Sequence, residues 1–363
     1  MIFYNNMYCA IFLFFFILAV CFIFSVGDNS TEGNKILITT AVLSLIFVNA
    51  FKDFRLLPDI SGYVPAFEYI ARDDSTFLNA KQYYKMQWGY YALNKFLSIF
   101  SSNIHFFMGA MEAIICIPYF VLFKRFSKNV TFSTILYMMS WLQSSFVLRQ
   151  HSAIAFCIIS LLFYLDSKYI FAFLCFFFSV LIHPSAAIFI LAFVLCYLKK
   201  DKHIIMFMVA VFFASFLGGS FFIDKFSENV PGYDVYAMQV AEQVSSKLTS
   251  FLLQLSLVLP LLLLLVKKEL YLSDIEQIFV KMEFLSFSIR FGLFFVGNYS
   301  DTIERLFMTF TFVDFLLIPL IVKSIQIYWL KMLFLAWYLF VYWWLFAISS
   351  HSYISDFKLN FSY

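Results

Sequence analysis

An all-α polytopic membrane protein is the fold class this sequence predicts, with about twelve transmembrane helices in a range of ten to thirteen. Three observations predict it. Hydrophobic residues make up 63% of the 363 positions, charged residues only 13%, and mean hydropathy is +0.86, whereas soluble domains carry about 25% charged residues. Apolar runs long enough to approach a hydrocarbon core of roughly 30 Å recur along the whole chain. The strict alternation of a membrane strand is absent, and unpaired backbone is intolerable in lipid, so helix is the remaining choice.

The spans are read at 8–26, 36–51, 104–123, 130–147, 150–165, 168–183, 185–198, 203–222, 249–266, 276–297, 306–322 and 328–348, in a single integral membrane domain covering 1–363. The first lacks a basic leading region and a small-residue cleavage site, so it is expected to be a retained helix. Several others fall short of the roughly 20 residues of a straight crossing, so their boundaries are expected to shift. All six cysteines lie inside apolar runs, where they read as packing residues; no disulfide framework or metal-type spacing is visible.

Basic residues in the short loops orient the chain. Lys124, Arg125 and Lys128 follow the third span, Lys168 the fifth, Lys199, Lys200 and Lys202 the seventh, Lys267 and Lys268 the ninth, and Lys323 the eleventh. Odd-numbered spans are therefore followed by cytoplasmic loops, as the positive-inside rule expects. A net charge of only +3 gives no reason to expect nucleic acid as a partner. The complementary outer face receives the two larger loops, 52–103 and 223–248. The first is too aromatic for disorder, and its apolar spacing predicts helices at Phe67–Ile70 and Tyr83–Phe100, on or dipping into the membrane surface. In the second, Pro231-Gly232 marks a turn before an amphipathic helix from Tyr233 to Leu248. No soluble domain and no convincing internal repeat is found.

Polar chemistry collects at that outer face, in four places. Arg55, Asp59 and Tyr63 follow the second span. Arg149-Gln150-His151 interrupts two long apolar runs. His183, followed by Pro184-Ser185, ends the sixth span, and Glu304-Arg305 opens the eleventh. An arginine near the membrane is costly unless partnered or liganded. Its guanidinium presents a rigid fork that matches phosphate oxygens. Converging arginines therefore suggest a phosphate or pyrophosphate ligand, while a single arginine at a helix end equally snorkels to headgroups, and a lone histidine at a helix end equally serves structure.

The order of these motifs resembles the EpsG and Wzy group of polysaccharide polymerases. Arg55, Asp59 and Tyr63 are similar to that group's early Arg, Asp and Tyr. Gln87-Trp88-Gly89-Tyr90 before Leu93-Asn94 is similar to its Glu-x-Gly-Tyr element, with Gln87 where the group often has Glu. Arg149-Gln150 with Ala153, His183 with Ser185, and Arg305 leading to Ile318-Pro319 complete the series. The resemblance implies a GT-C-like, multi-pass protein of the bacterial inner membrane that joins undecaprenyl-pyrophosphate-linked oligosaccharide repeat units into O-antigen or capsular polysaccharide. Its implied partners are that lipid-linked oligosaccharide, membrane lipid and a chain-length regulator, with no cofactor and no metal. It assigns catalytic roles to His183, Asp59 and Arg149, with Glu68 as a further candidate base. Pyrophosphate and sugar binding fall to Arg55, Tyr63, Tyr90, Gln150 and Arg305.

Two other readings compete. A polyprenyl-phosphate-sugar glycosyltransferase would use acidic residues of the first outer loop, such as Asp73-Asp74. A lipid-linked oligosaccharide flippase would use ionisable residues within the membrane, for which Lys281, Glu283 and Arg290 of the tenth span are the available set.

Overall fold

The computed structural model describes residues 31–52, 58–144, 147–229, 244–266, 272–294 and 308–344, and every regular element among them is helical. The expected first span, the helix at 233–248 before residue 244, and the side chains of Arg55, Asp59 and Arg305 lie outside the described residues. Two compact units are present, residues 1–184 with 334–363, and residues 185–333.

In the first unit, α1 (Thr31–Phe51) packs along α5 (Ile104–Phe126), α5 along α7 (Leu148–Leu165), and α7 against α8 (Tyr169–Ile182). Helix α5 begins where it does because Asn103 caps it, its Oδ1 accepting from His105 N at 2.8 Å and Phe106 N at 3.2 Å. The turn from α7 to α8 carries Asp166, whose carboxylate takes both Nη atoms of Arg125 at 2.5 and 3.2 Å. That exposed pairing holds the Asp166 carboxyl below its usual range, and it brings together the two basic loops predicted to share the cytoplasmic face. Helix α8 stops at Ile182 because His183 precedes Pro184 and adopts extended backbone, φ −149° and ψ 122°.

Polar groups bind α1 to α5. Asn49 Nδ2 donates to the Met108 carbonyl at 2.9 Å, and His105 Nδ1 donates to the Ala50 carbonyl at 2.6 Å. Lys52 is fully buried and interacts electrostatically with Glu112, also fully buried, which accepts from Trp141 Nε1 of α6 (Val130–Ser144) at 2.9 Å. Breaking a buried ion pair by removing one charge costs about 3–5 kcal/mol. Glu112→Gln is therefore expected to lower the thermal unfolding temperature of the detergent-solubilised protein clearly, and Lys52→Met with Glu112→Gln to recover most of the loss. Unfolding unchanged by Glu112→Gln would show that Lys52 does not depend on this carboxylate.

The segment expected as the first outer loop contains three helices, α2 (Pro58–Ile70), α3 (Phe77–Tyr84) and α4 (Trp88–Ser98). The helix expected at Tyr83–Phe100 is thus split. The break is at Lys85, which sits in the left-handed region at φ 49° and ψ 41° and ends α3, at roughly 1–2 kcal/mol for a residue with a β-carbon. Lys95 of α4 ties the layer together, its Nζ donating to the Ile70 carbonyl at 3.0 Å, the Arg72 carbonyl at 2.9 Å and Ser75 Oγ at 3.0 Å. Of these acceptors, the Ile70 carbonyl closes α2, where helix carbonyls lack an intrahelical partner. Asp73 and Asp74 are exposed in the same turn.

In the second unit, a 3₁₀ turn (Pro184–Phe189) leads into α9 (Ile190–Tyr197), α10 (Asp201–Asn229), α11 (Val244–Val266), α12 (Asp274–Phe294) and α13 (Asp314–Ser324). Helix α12 opens with a reciprocal cap, Ser273 N donating to Glu276 Oε2 at 2.8 Å and Glu276 N to Ser273 Oγ at 3.4 Å. Glu283 finds the cross-helix partners its position demands. Gln254 Nε2 of α11 donates to Glu283 at 3.1 Å and to Ser286 at 3.0 Å, while Arg290 and Asp314 act on the same carboxyl. Asp314 was not anticipated. The final helix is α14 (Tyr328–Trp344).

By length and composition, four of these helices are able to cross a membrane: Gly33–Phe51, Ile104–Phe126, Leu148–Leu165 and Asp201–Gly218. Four shorter apolar helices accompany them, at Tyr169–Ile182, Pro184–Tyr197, Gln254–Val266 and Tyr328–Tyr342. The protein is therefore all-helical in its described part and polytopic.

Candidate functional site

Arg149 lies in the first turn of α7, and three segments from α2 to the start of α4 converge on it. Its Nη1 donates to the Lys85 carbonyl at 3.1 Å and to Gln87 Oε1 at 3.2 Å, and its Nε to the Tyr63 hydroxyl at 3.5 Å. The guanidinium carbon also stands 5.5 Å from the centroid of the Tyr63 ring, within cation–π range. These partners come from α2, from the end of α3 and from the residue capping α4. Met86, between Lys85 and Gln87, is buried, which anchors the turn so that carbonyl and amide face one cation.

These three acceptors, a phenol, a peptide carbonyl and a carboxamide, orient the guanidinium. Among the described side chains expected at the site, Tyr63, Tyr90, Gln150 and His183 are buried and Arg149 is partly exposed. Of these, Tyr63 supports the Arg149 guanidinium directly, by a hydrogen bond.

Tyr90 is fully buried and meets Tyr63 edge-on, with ring centroids 5.8 Å apart. Burial raises its phenol well above the usual value, so it remains protonated at any relevant pH. Asn94 Nδ2 donates to the Tyr90 carbonyl at 2.7 Å, which accounts for the Leu93-Asn94 that follows the Gly-Tyr element.

Gly89 joins this cluster to His183. A β-carbon on Gly89 would lie 2.5 Å from the Leu181 carbonyl carbon and 2.6 Å from the Ile182 nitrogen, closer than real β-carbons come to backbone. Helix α4 thus touches the last turn of α8, one residue before His183. The segment 87–90 holds Arg149 with one residue and abuts the neighbour of His183 with another, so both predicted polar sites share one end of the first unit. His183 is buried, its N donating to the Ser179 carbonyl at 3.0 Å.

The remaining expected residues are placed more coarsely. Asp59 falls in the first turn of α2, on backbone only, and Glu68 is exposed on the same helix. Arg55 and Arg305 lie outside the described residues. Lys85 was absent from the sequence reading, because no Gly, Pro or Asn announces a left-handed turn there.

Residues 35–363 match the family model of the EpsG family. No curated protein and no solved structure matches the chain.

Proposed function

Since the chain belongs to the EpsG family, the family of Wzy-type polysaccharide polymerases, we propose that it extends a glycan by transferring the growing chain from undecaprenyl pyrophosphate to a new lipid-linked repeat unit, yielding O-antigen or capsular polysaccharide. A hydroxyl at the non-reducing end of the new unit attacks the anomeric carbon of the growing chain. The bond between that carbon and the pyrophosphate oxygen breaks as the glycosidic bond forms. Undecaprenyl pyrophosphate departs with the electron pair, and the hydroxyl proton passes to a base.

The observation that carries this reading is Arg149, partly exposed and oriented by Tyr63, Lys85 and Gln87. A fixed cation aimed at the departing oxygens stabilises the charge that develops on them and needs no metal to do so. Its position in the first turn of α7 adds the positive end of the helix dipole. His183 is the proposed base, since an imidazole titrates near neutral pH, with Asp59 and Glu68 as the carboxylate candidates. Arg55 and Arg305 are proposed as further pyrophosphate contacts, Gln150 and the Tyr63–Tyr90 pair as supports of the site, and a chain-length regulator as partner. The bacterial inner membrane is the proposed location.

Deleting the gene in its host tests the reading. Single-repeat lipid-linked units should accumulate at the outer leaflet while surface polymer disappears. Accumulation at the cytoplasmic leaflet would instead favour the flippase reading, and loss of one sugar from every repeat the polyprenyl-phosphate-sugar transferase reading.

A further inference from the structure

Glu283 and Asp314 stand on different helices of the second unit and meet side chain to side chain. Glu283, in the middle of α12, is fully buried. Its Oε1 accepts from Gln254 Nε2 of α11 at 3.1 Å, and the same Nε2 donates to Ser286 Oγ at 3.0 Å. Its other oxygen, Oε2, is buried and meets no N–H or hydroxyl donor among the described residues, and the same holds for Gln254 Oε1. What the fold sets against the Glu283 carboxyl instead is Asp314, the first residue of α13, joined to it by a side-chain hydrogen bond. An ionised carboxylate accepts hydrogen bonds and donates none. That contact therefore requires a proton on one of the two acids, whereas two ionised carboxylates in the same place would repel each other with little screening.

We propose that Glu283 and Asp314 hold a single proton between them, forming a proton-binding site that fastens α12 to α13 and loosens when the proton leaves. The inference goes beyond the polymerase reading and does not depend on it. Arg290, about two turns further along α12, acts on both carboxyls, and Gln254 donates to one of them, so the surroundings support a negative charge shared by the pair. Among the other described groups on the elements packed around α12 and α13, Lys281 interacts with Cys196 of α9. Helix α10 meets α12 through the ring of Phe212 against Phe291, and Thr311, in the turn before α13, donates to the Met308 carbonyl. With the proton in place, a hydrogen bond spans the two helices. Without it, two like charges face each other across the same gap, and the proton belongs to the pair rather than to either acid.

Infrared spectroscopy of the full chain purified in detergent reads this proton directly, through the carbonyl stretch that a protonated carboxyl shows and a carboxylate lacks. Wild type is compared with Asp314→Asn and with Glu283→Gln, in light and heavy water. Each substitution keeps the side-chain volume and supplies an amide N–H where the acid proton stood, so the remaining acid is free to ionise beside Arg290. Expected is the loss of one protonated-carboxyl band, shifted by heavy water in the wild type, from both variants; any contribution of Glu112 cancels in the difference spectra. The unfolding temperature of the wild type should also fall more steeply with rising pH than that of Asp314→Asn, because only the wild type loses an attraction and gains a repulsion. Difference spectra without such a band overturn the proposal, as does a wild-type spectrum with no protonated carboxyl at all, which needs no variant to fold. A band lost from one variant and kept in the other assigns the proton to a single acid and overturns the shared site.

Discussion

Arg149→Ala is expected to abolish polymer while leaving membrane insertion intact. The side chain is partly exposed in the first turn of α7, so its removal opens no cavity in the helix core. What disappears is the cation, and with it the partner of Tyr63, Lys85 and Gln87. Removing one group that stabilises developing negative charge typically lowers turnover by about 100-fold or more. Chain growth competes with export of single repeats, so a loss of that size should appear as surface glycan one repeat long. Arg149→Lys should recover little, because an ammonium that meets the amide, carbonyl and phenol with its three donors has none left for phosphate. Polymer of normal length from Arg149→Ala at normal membrane abundance would remove this residue from the chemistry.

Gly89→Val should be nearly as damaging, by a different route. Its β-carbon would be driven onto the Leu181 carbonyl carbon and the Ile182 nitrogen at 2.5 and 2.6 Å. Both are backbone atoms, which have no rotamer to escape into, so α4 and α8 must separate. Overpacking of this kind costs about 1–3 kcal/mol even where side chains are able to yield. Separation would also move Gln87 from Arg149 and disturb the helix end that presents His183. Loss of polymer together with a lowered unfolding temperature is the expected result. Gly89→Ala should show the same two effects, since the first added carbon already makes the collision. Wild-type polymer from either variant would mean that the two helices are not in contact during catalysis.

How much of this was legible in the sequence depended on the range of the interaction. Helices along α5, α7, α8 and α12 follow directly from apolar runs and local caps such as Asn103 and Ser273, because both signals are read within a few residues. The turn at Lys85 was not legible, since no Gly, Pro or Asn stands there to announce it. Gly89 was visible as part of a motif, but its reason lies on α8, far along the chain. Asp314 and the Lys52–Glu112 pair escaped for the same cause: an isolated charge in a sequence does not name its cross-helix partner. At the candidate site, Arg149 and Tyr63 were singled out separately and the fold brings them together, whereas Gln87 had been noted only as a departure from the family pattern. Its amide oxygen is one of the acceptors that orient Arg149.

The most direct measurement is reconstitution of the purified protein in liposomes with undecaprenyl-pyrophosphate-linked repeat units, following both glycan length and the lipid released. The account predicts one undecaprenyl pyrophosphate released for each linkage formed by the wild type, and neither linkage nor release from Arg149→Ala. Release of undecaprenyl monophosphate as the leaving group, or equal chain growth by both proteins, would contradict it.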